Sequence, residues 1–369
     1  MPNGAKSMDI VTGSIRAYYL FDVADTIDLA TLRTIEGEGL APADIPLRPH
    51  ASSAYLRLEV PPLVARLPDA QLGDLRCSVR VKLFDYGVIS LRLSFDASGD
   101  WERMATLSAR LRKDDVVAAY AQRITTRICE ELGEALDDPH DTLMEDYQVI
   151  DIERCAAPVD AQTLLAQHPA RLANLLLGER SELARAEIDE TLRVRFSYFA
   201  DDLTIVQWDT AFVFDRRESS DAIQDILEFA NSQLLELRTY DAQLDRELDV
   251  IYKLQPGGVG SSTLGRREAD QAARLRYTIV DVLEIIDRSS NALKIVGDAY
   301  YARIYRAAAA RLGLADWQKQ IDTKLASVED MYRFFIDQSR GRRDAFLETI
   351  VIVLIALELI VGVATLLKH

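Results

Sequence analysis

Cysteine, histidine and positive charge are all in short supply in this chain. The three cysteines, Cys77, Cys129 and Cys155, form no CxxC pair. That excludes a disulfide framework or a cysteine-rich zinc module and fits a reducing compartment. The four histidines, His50, His140, His168 and His369, fall in no HExxH motif or other metal-ligand spacing, so no metal or other cofactor is expected. There is no GxSxG nucleophile elbow either. Lys plus Arg number 43 against 59 Asp plus Glu, for a net charge of −16. Such a balance repels phosphate backbones, so direct DNA binding is not expected unless basic residues gather locally. The opening residues, MPNGAKSMDIVTGS, lack the apolar core of a signal peptide.

What is present is enough apolar material for real cores. The hydrophobic fraction is 49% over 369 residues, which implies two or three folding units and excludes a largely disordered chain. Residues 14–22 read as a strand and 27–35 as a short helix; 36–54, rich in Gly, Pro and Ala, read as loop. Over 76–84, Cys77, Val79, Val81 and Leu83 alternate with Arg76, Ser78, Arg80 and Lys82. After the turn Asp85-Tyr86-Gly87, Ile89, Leu91, Leu93 and Phe95 alternate with Ser90, Arg92 and Ser94. This predicts an antiparallel hairpin with one buried and one wet face. Helices are expected at 101–112, 115–134 and 160–186, a strand at 146–153, and a second hairpin from Val194 through Asp201-Asp202 to Phe214.

Beyond Asp215 the pattern turns to long helices. Ile223, Leu227, Ala230, Leu234, Leu237, Asp241, Leu244, Leu248 and Ile251 keep a 4-3 heptad spacing with one polar, register-setting position, Asp241. The break at Pro256 to Ser262 is followed by a second expected helix ending near Leu312, then a third carrying Ile321, Leu325, Val328, Tyr332 and Phe335. The last apolar run, Ile350 to Leu367, is long enough with Phe346 and Leu347 to supply the ~20 residues of a membrane-crossing helix. Arg340, Arg342 and Arg343 precede it, which by the positive-inside rule predicts a single-pass tail anchor with the bulk of the chain on the cytoplasmic side of the inner membrane. Within the run, Glu348, Glu358, Gly362 and Thr365 share one helical face, so that face is expected to meet a second helix, with Glu358 protonated or paired.

Two local clusters could carry chemistry. Asp137-Asp138-Pro139-His140-Asp141 admits a metal reading, though an exposed proline turn is the simpler one. Gly257 to Ser262 admits a phosphate cradle, but no P-loop lysine and no preceding strand accompany it.

The stretch Leu347-Glu348-Thr349 through Leu357-Glu358, the preceding helix from Ile321 to Arg343, the hairpin residues Val81 to Val88 and the opening Ile15 to Leu20 resemble the required-for-meiotic-nuclear-division family. Thr349 stands where that family's pattern has Trp. The resemblance implies membrane anchoring, homo-oligomers, no catalytic residues and, through a mitochondrial member, a link to the ribosome or translation machinery. The expectation is therefore an α+β body over 1–215 with antiparallel hairpins, a long helical hairpin or coiled-coil stalk over 216–343, and a transmembrane anchor over 344–369. The expected function is a tail-anchored, self-associating membrane scaffold or adaptor without catalytic activity. The alternative is an enzyme or nucleotide-binding protein using a site in the α+β body.

Overall fold

A computed structural model describes residues 9–36, 44–49, 56, 58–157, 159–215, 220–253, 296–328, 330 and 333. The chain divides into two compact units, one of Met1–Thr239 with Ile285–Gln318 and one of Tyr240–Glu284 with Lys319–His369. In sequence order the first unit opens with β1 (Asp9–Ile27), β2 (Thr34–Glu36), β3 (Asp44–Pro46), β4 (Arg48–Pro49), β5 (Leu63–Leu72), β6 (Leu75–Leu83), β7 (Val88–Asp96) and β8 (Gly99–Asp100). Helices α1 (Trp101–Leu111) and α2 (Asp115–Leu132) follow, then β9 (Leu136–Cys155). Next come the short helices α3 (Ala161–Gln167), α4 (Pro169–Leu177) and α5 (Arg185–Thr191), and strands β10 (Arg195–Phe196), β11 (Leu203–Val206) and β12 (Thr210–Phe214). Helix α6 (Ser220–Lys253) runs from the first unit into the second, and α7 (Ala299–Arg311) belongs to the first.

The architecture is mixed α+β around one large sheet. Ten strands lie in the order β10-β11-β12-β9-β1-β7-β6-β5-β4, with β8 pairing β1. Every pairing is antiparallel except β12 on β9. The period of two explains the layering. Ile15, Ala17, Tyr19 and Phe21 of β1, Val79 and Val81 of β6 and Leu91 and Leu93 of β7 share one apolar core with α1 and α2. The buried residues of α1, Trp101, Met104, Ser108 and Leu111, recur at helical spacing, and the Asp100 carboxylate caps its start by accepting from the Arg103 amide.

The hairpin expected at 76–95 forms β6 and β7, joined by Asp85-Tyr86-Gly87. Gly87 is required there. Its φ is +85°, and a Cβ would stand 1.7 Å from the carbonyl oxygen of Ala24. The face expected to be wet is largely covered, however: Lys82 is 7% and Ser90 1% exposed. The covering element is α6, whose side chains bond directly to that face.

That contact also revises the reading of α6. The heptad residues Ile223, Leu227, Ala230, Leu234 and Leu237 are buried, but so are Ala222, Ile226, Phe229 and Leu235 and the polar Gln224, Glu228, Asn231, Gln233 and Glu236. Over this stretch the helix is enclosed all round rather than presenting a solvent face as a stalk would. Its polar side chains find protein partners instead of water.

Two local expectations also change. Residues 27–35 are not helical: β1 runs to Ile27, and the Asp28 carboxylate accepts from the Ala30 amide in a turn before β2. Asp137–Asp141 is not a loop but the first part of β9, paired so that Ala24 meets Pro139 and Thr26 meets Asp137. The register shift between Asp22 and Ala24 marks a bulge in this part of the ladder, which is where a proline is tolerated in a strand.

In the second unit, the Asp241 carboxylate on α6 pairs with Lys324 at 2.7 Å and accepts from Gln320 at 3.0 Å. Both partners lie on the helix formed by 314–328. Asp241 thus holds one helix against another.

The structure does not support a membrane span. Among the described residues no helix is long and apolar enough to cross a membrane. The longest, α6, places a charged or amide side chain in every turn. The single-pass, inner-membrane placement of the chain therefore has no support. Arg340, Arg342, Arg343, Glu348, Glu358, Gly362 and Thr365, and the anchor expected over 344–369, lie outside the described residues, as does the Gly257–Ser262 loop.

Candidate functional site

The sheet face opposite the α1/α2 core carries an unusual density of cations. Register places Arg66 of β5 opposite Arg80 of β6, Arg80 opposite Arg92 of β7, and Arg92 opposite Tyr18 of β1. Three arginines thus lie in one lateral row across adjacent strands. In the next row Ser78 pairs Ser94, and Ser94 pairs Arg16. Like charges directly opposite one another destabilise a sheet, so this row costs folding energy. Arg80, although its side chain reaches solvent, has a lowered pKa, first from partial desolvation against the sheet and then from the neighbouring Arg92 guanidinium.

The row grades from open to enclosed. Arg66 and Arg76 have side chains 73% and 75% exposed, and Asp69 accepts from both, at 3.4 and 3.1 Å. Arg80 is also exposed and makes no ion pair among the described residues. Further along, Asp221 in the first turn of α6 reaches back to Arg16 at 2.9 Å and to Arg92 at 3.9 Å. Arg16 also pairs with the buried Asp151 at 3.0 Å, and Asp151 accepts from the Ser220 hydroxyl at 2.8 Å. Burial pushes the Asp151 carboxyl up to about 6, against the pull of Arg16.

Under α6 one ammonium bridges two carboxylates. Lys82 Nζ lies 2.8 Å from Asp225 and 2.5 Å from Glu228. Burial opposes its charge, yet Glu228 and Asp225 outweigh that and leave its pKa raised. The Tyr18 hydroxyl donates to Gln224 at 2.9 Å, and Tyr86 and Ser232 share a hydrogen bond of 2.9 Å. Chemically, the enclosed end is a structural lock, while Arg66 and Arg80 face solvent and Arg92, its side chain 16% exposed, closes the inner end of the donor field beside the half-buried Ser78 and Ser94.

The clusters singled out from sequence lead elsewhere. His140 does not join a metal site. Its Nε2 lies 3.3 Å from the buried Asp22, and that carboxylate outweighs burial to raise the histidine's pKa. Among the described residues no group of three or more His, Cys, Asp or Glu could hold a metal ion. Alternation along the hairpin shows only that one face is polar and does not show that its arginines align across strands. A signal existed: in a chain of net charge −16, residues 76–94 carry Arg76, Arg80, Lys82 and Arg92 with a single acid, Asp85.

Fold and site together define an α+β protein built on a large mixed sheet with a cationic face. The chain belongs to the family described as "Uncharacterized protein MJ0711, N-terminal domain", whose match covers residues 12–221, more than half its length. The Methanocaldococcus jannaschii protein MJ0711, itself named as uncharacterized, is 26% identical over 205 residues, or 56% of this chain and 62% of that relative. The chain thus matches less than two thirds of the relative's length. No solved structure matches. These findings replace the resemblance to the required-for-meiotic-nuclear-division family. With it goes the ground for expecting a ribosomal or translational partner. The short motifs quoted for that resemblance are an apolar run and a generic hairpin, which many folds share. The arginine row and Asp221 all fall inside the matched span.

Proposed function

We propose that this protein is an adaptor that binds, rather than transforms, an anionic ligand on the row Arg66–Arg80–Arg92. The observation that carries the reading is Arg80, an exposed guanidinium without an ion pair among the described residues and flanked in register by two further arginines. A protein tolerates such repulsion where a ligand relieves it. Guanidiniums keep their charge at any physiological pH and fit oxyanions in a bidentate manner, which suits holding an anion.

The test is thermal melting of the full chain in sulfate or citrate against chloride at equal ionic strength. A ligand that binds only the folded state raises the midpoint, by a stabilisation that grows with the logarithm of its concentration above Kd. Multivalent anions also stabilise folded chains without a site, so the stabilisation over chloride should be smaller in Arg80→Gln than in the wild type by the part the site contributes. Equal responses of the two proteins would remove the row as a binding site.

A second reading keeps self-association. Tyr198 and Phe199 are 63% and 50% exposed, yet their amides are held by the Asp202 carboxylate at 2.7 and 2.8 Å. Exposed aromatics on a fixed backbone suit contact with a second copy of the chain.

A further inference from the structure

Beyond anion binding in general, the row's geometry narrows the ligand, and the inference rests on the function proposed above. Neighbouring strands lie ~4.8 Å apart, so the row offers three guanidinium bases spaced along ~10 Å, roughly perpendicular to the strands. A single carboxylate saturates one guanidinium fork. A chain of linked phosphates presents successive oxyanions along a line, each with oxygens for a fork or a hydroxyl. Ser78 and Ser94, paired one row away on the same face, supply neutral donors beside the arginines. Asp221 sits at the Arg92 end, 3.9 Å from that guanidinium and 2.9 Å from Arg16, with its side chain 67% exposed. It is a carboxylate of the chain itself resting on part of the arginine field.

We infer that the row Arg66–Arg80–Arg92 holds a diphosphate or longer oligophosphate chain, free or carried by a nucleotide, and that Asp221 is the internal carboxylate such a ligand displaces from Arg92. The ligand then meets a field from which one competitor must first swing away. The overall negative charge of the chain disfavours a long polynucleotide and leaves a compact oligophosphate as the better match.

Isothermal titration of the full-length protein with inorganic phosphate, pyrophosphate, tripolyphosphate, a nucleoside diphosphate and citrate tests this. Affinity should rise from phosphate to pyrophosphate to tripolyphosphate and exceed that for citrate. Equal affinity for pyrophosphate and the nucleoside diphosphate assigns recognition to the phosphates alone; tighter binding of the latter assigns a base-contacting nucleotide, and both support the site. Arg80→Gln should weaken pyrophosphate binding about ten- to a hundred-fold. Asp221→Asn should tighten it several-fold, and a cooperative melting transition without ligand would show that each variant is folded. Citrate binding as tightly as pyrophosphate, or Asp221→Asn leaving affinity unchanged or weaker, overturns this inference while leaving a general anion site standing. A single-stranded RNA oligomer binding more tightly than tripolyphosphate also overturns it. If no anion distinguishes wild type from Arg80→Gln, the proposed function falls with it.

Discussion

Replacing Lys82 with methionine tests whether the interior between sheet and α6 is held by charge. The ammonium lies 2.8 Å from Asp225 and 2.5 Å from Glu228, and all three side chains are less than a tenth exposed. Methionine keeps most of the volume, so little of the effect comes from a cavity. What remains is two carboxylates in a low-dielectric site without their cation. Breaking one partner of a buried ion pair typically costs about 3–5 kcal/mol, a large share of the ~5–15 kcal/mol that holds a domain together. The variant has one escape, to protonate Asp225 or Glu228. Its deficit should therefore shrink as pH falls, because a carboxylate with a raised native pKa costs stability only above its unfolded value. Urea unfolding followed by circular dichroism at several pH values reads both effects. Adding Asp225→Asn and Glu228→Gln to Lys82→Met should recover most of the loss, since neutral amides need no cation. A deficit below about 1 kcal/mol at neutral pH, or a triple variant no better than Lys82→Met alone, would refute the lock; the reference is the typical cost of 3–5 kcal/mol.

Two further outcomes are expected. Asp151, with its pKa raised to about 6 from 3.8, binds its proton more tightly folded than unfolded. Its stabilising effect is fully present below the unfolded value and lost as pH rises through the native one. Between pH 4 and 6 the wild type should lose up to about 3 kcal/mol relative to Asp151→Asn, measured as the difference in slope of unfolding free energy against pH; parallel profiles would show that Asp151 does not titrate in this window. Changing Tyr198 and Phe199 together to serine should lower the oligomer fraction seen by sedimentation without shifting the melting midpoint by more than a few degrees. A protein that is monomeric before the change, or an oligomer untouched by it, would remove self-association through this face.

The sequence alone determined the elements whose pattern is local. The strict alternation of Cys77, Val79, Val81 and Leu83 against Ile89, Leu91, Leu93 and Phe95 specified β6 and β7, and the spacing of Trp101, Met104, Ser108 and Leu111 specified α1. Each follows from a period of two or of 3.6 that is written along the chain. The tertiary structure decided what covers each face. Alternation says that Arg80, Lys82, Ser90 and Arg92 point the same way, but not whether they meet water or a helix 140 or so residues further on, as Lys82 meets Asp225 and Glu228. Nor can a heptad pattern tell a stalk from an enclosed helix, because Gln224, Glu228 and Gln233 read as a polar face until Tyr18, Lys82 and Tyr305 are brought against them. The lateral row of arginines is likewise invisible along the chain. Arg66, Arg80 and Arg92 are separated by fourteen and twelve positions, and only the register of β5, β6 and β7 sets them side by side. Register is fixed by turns and by the buried face together, so a charge pattern across strands is a property of the folded sheet and of no single segment.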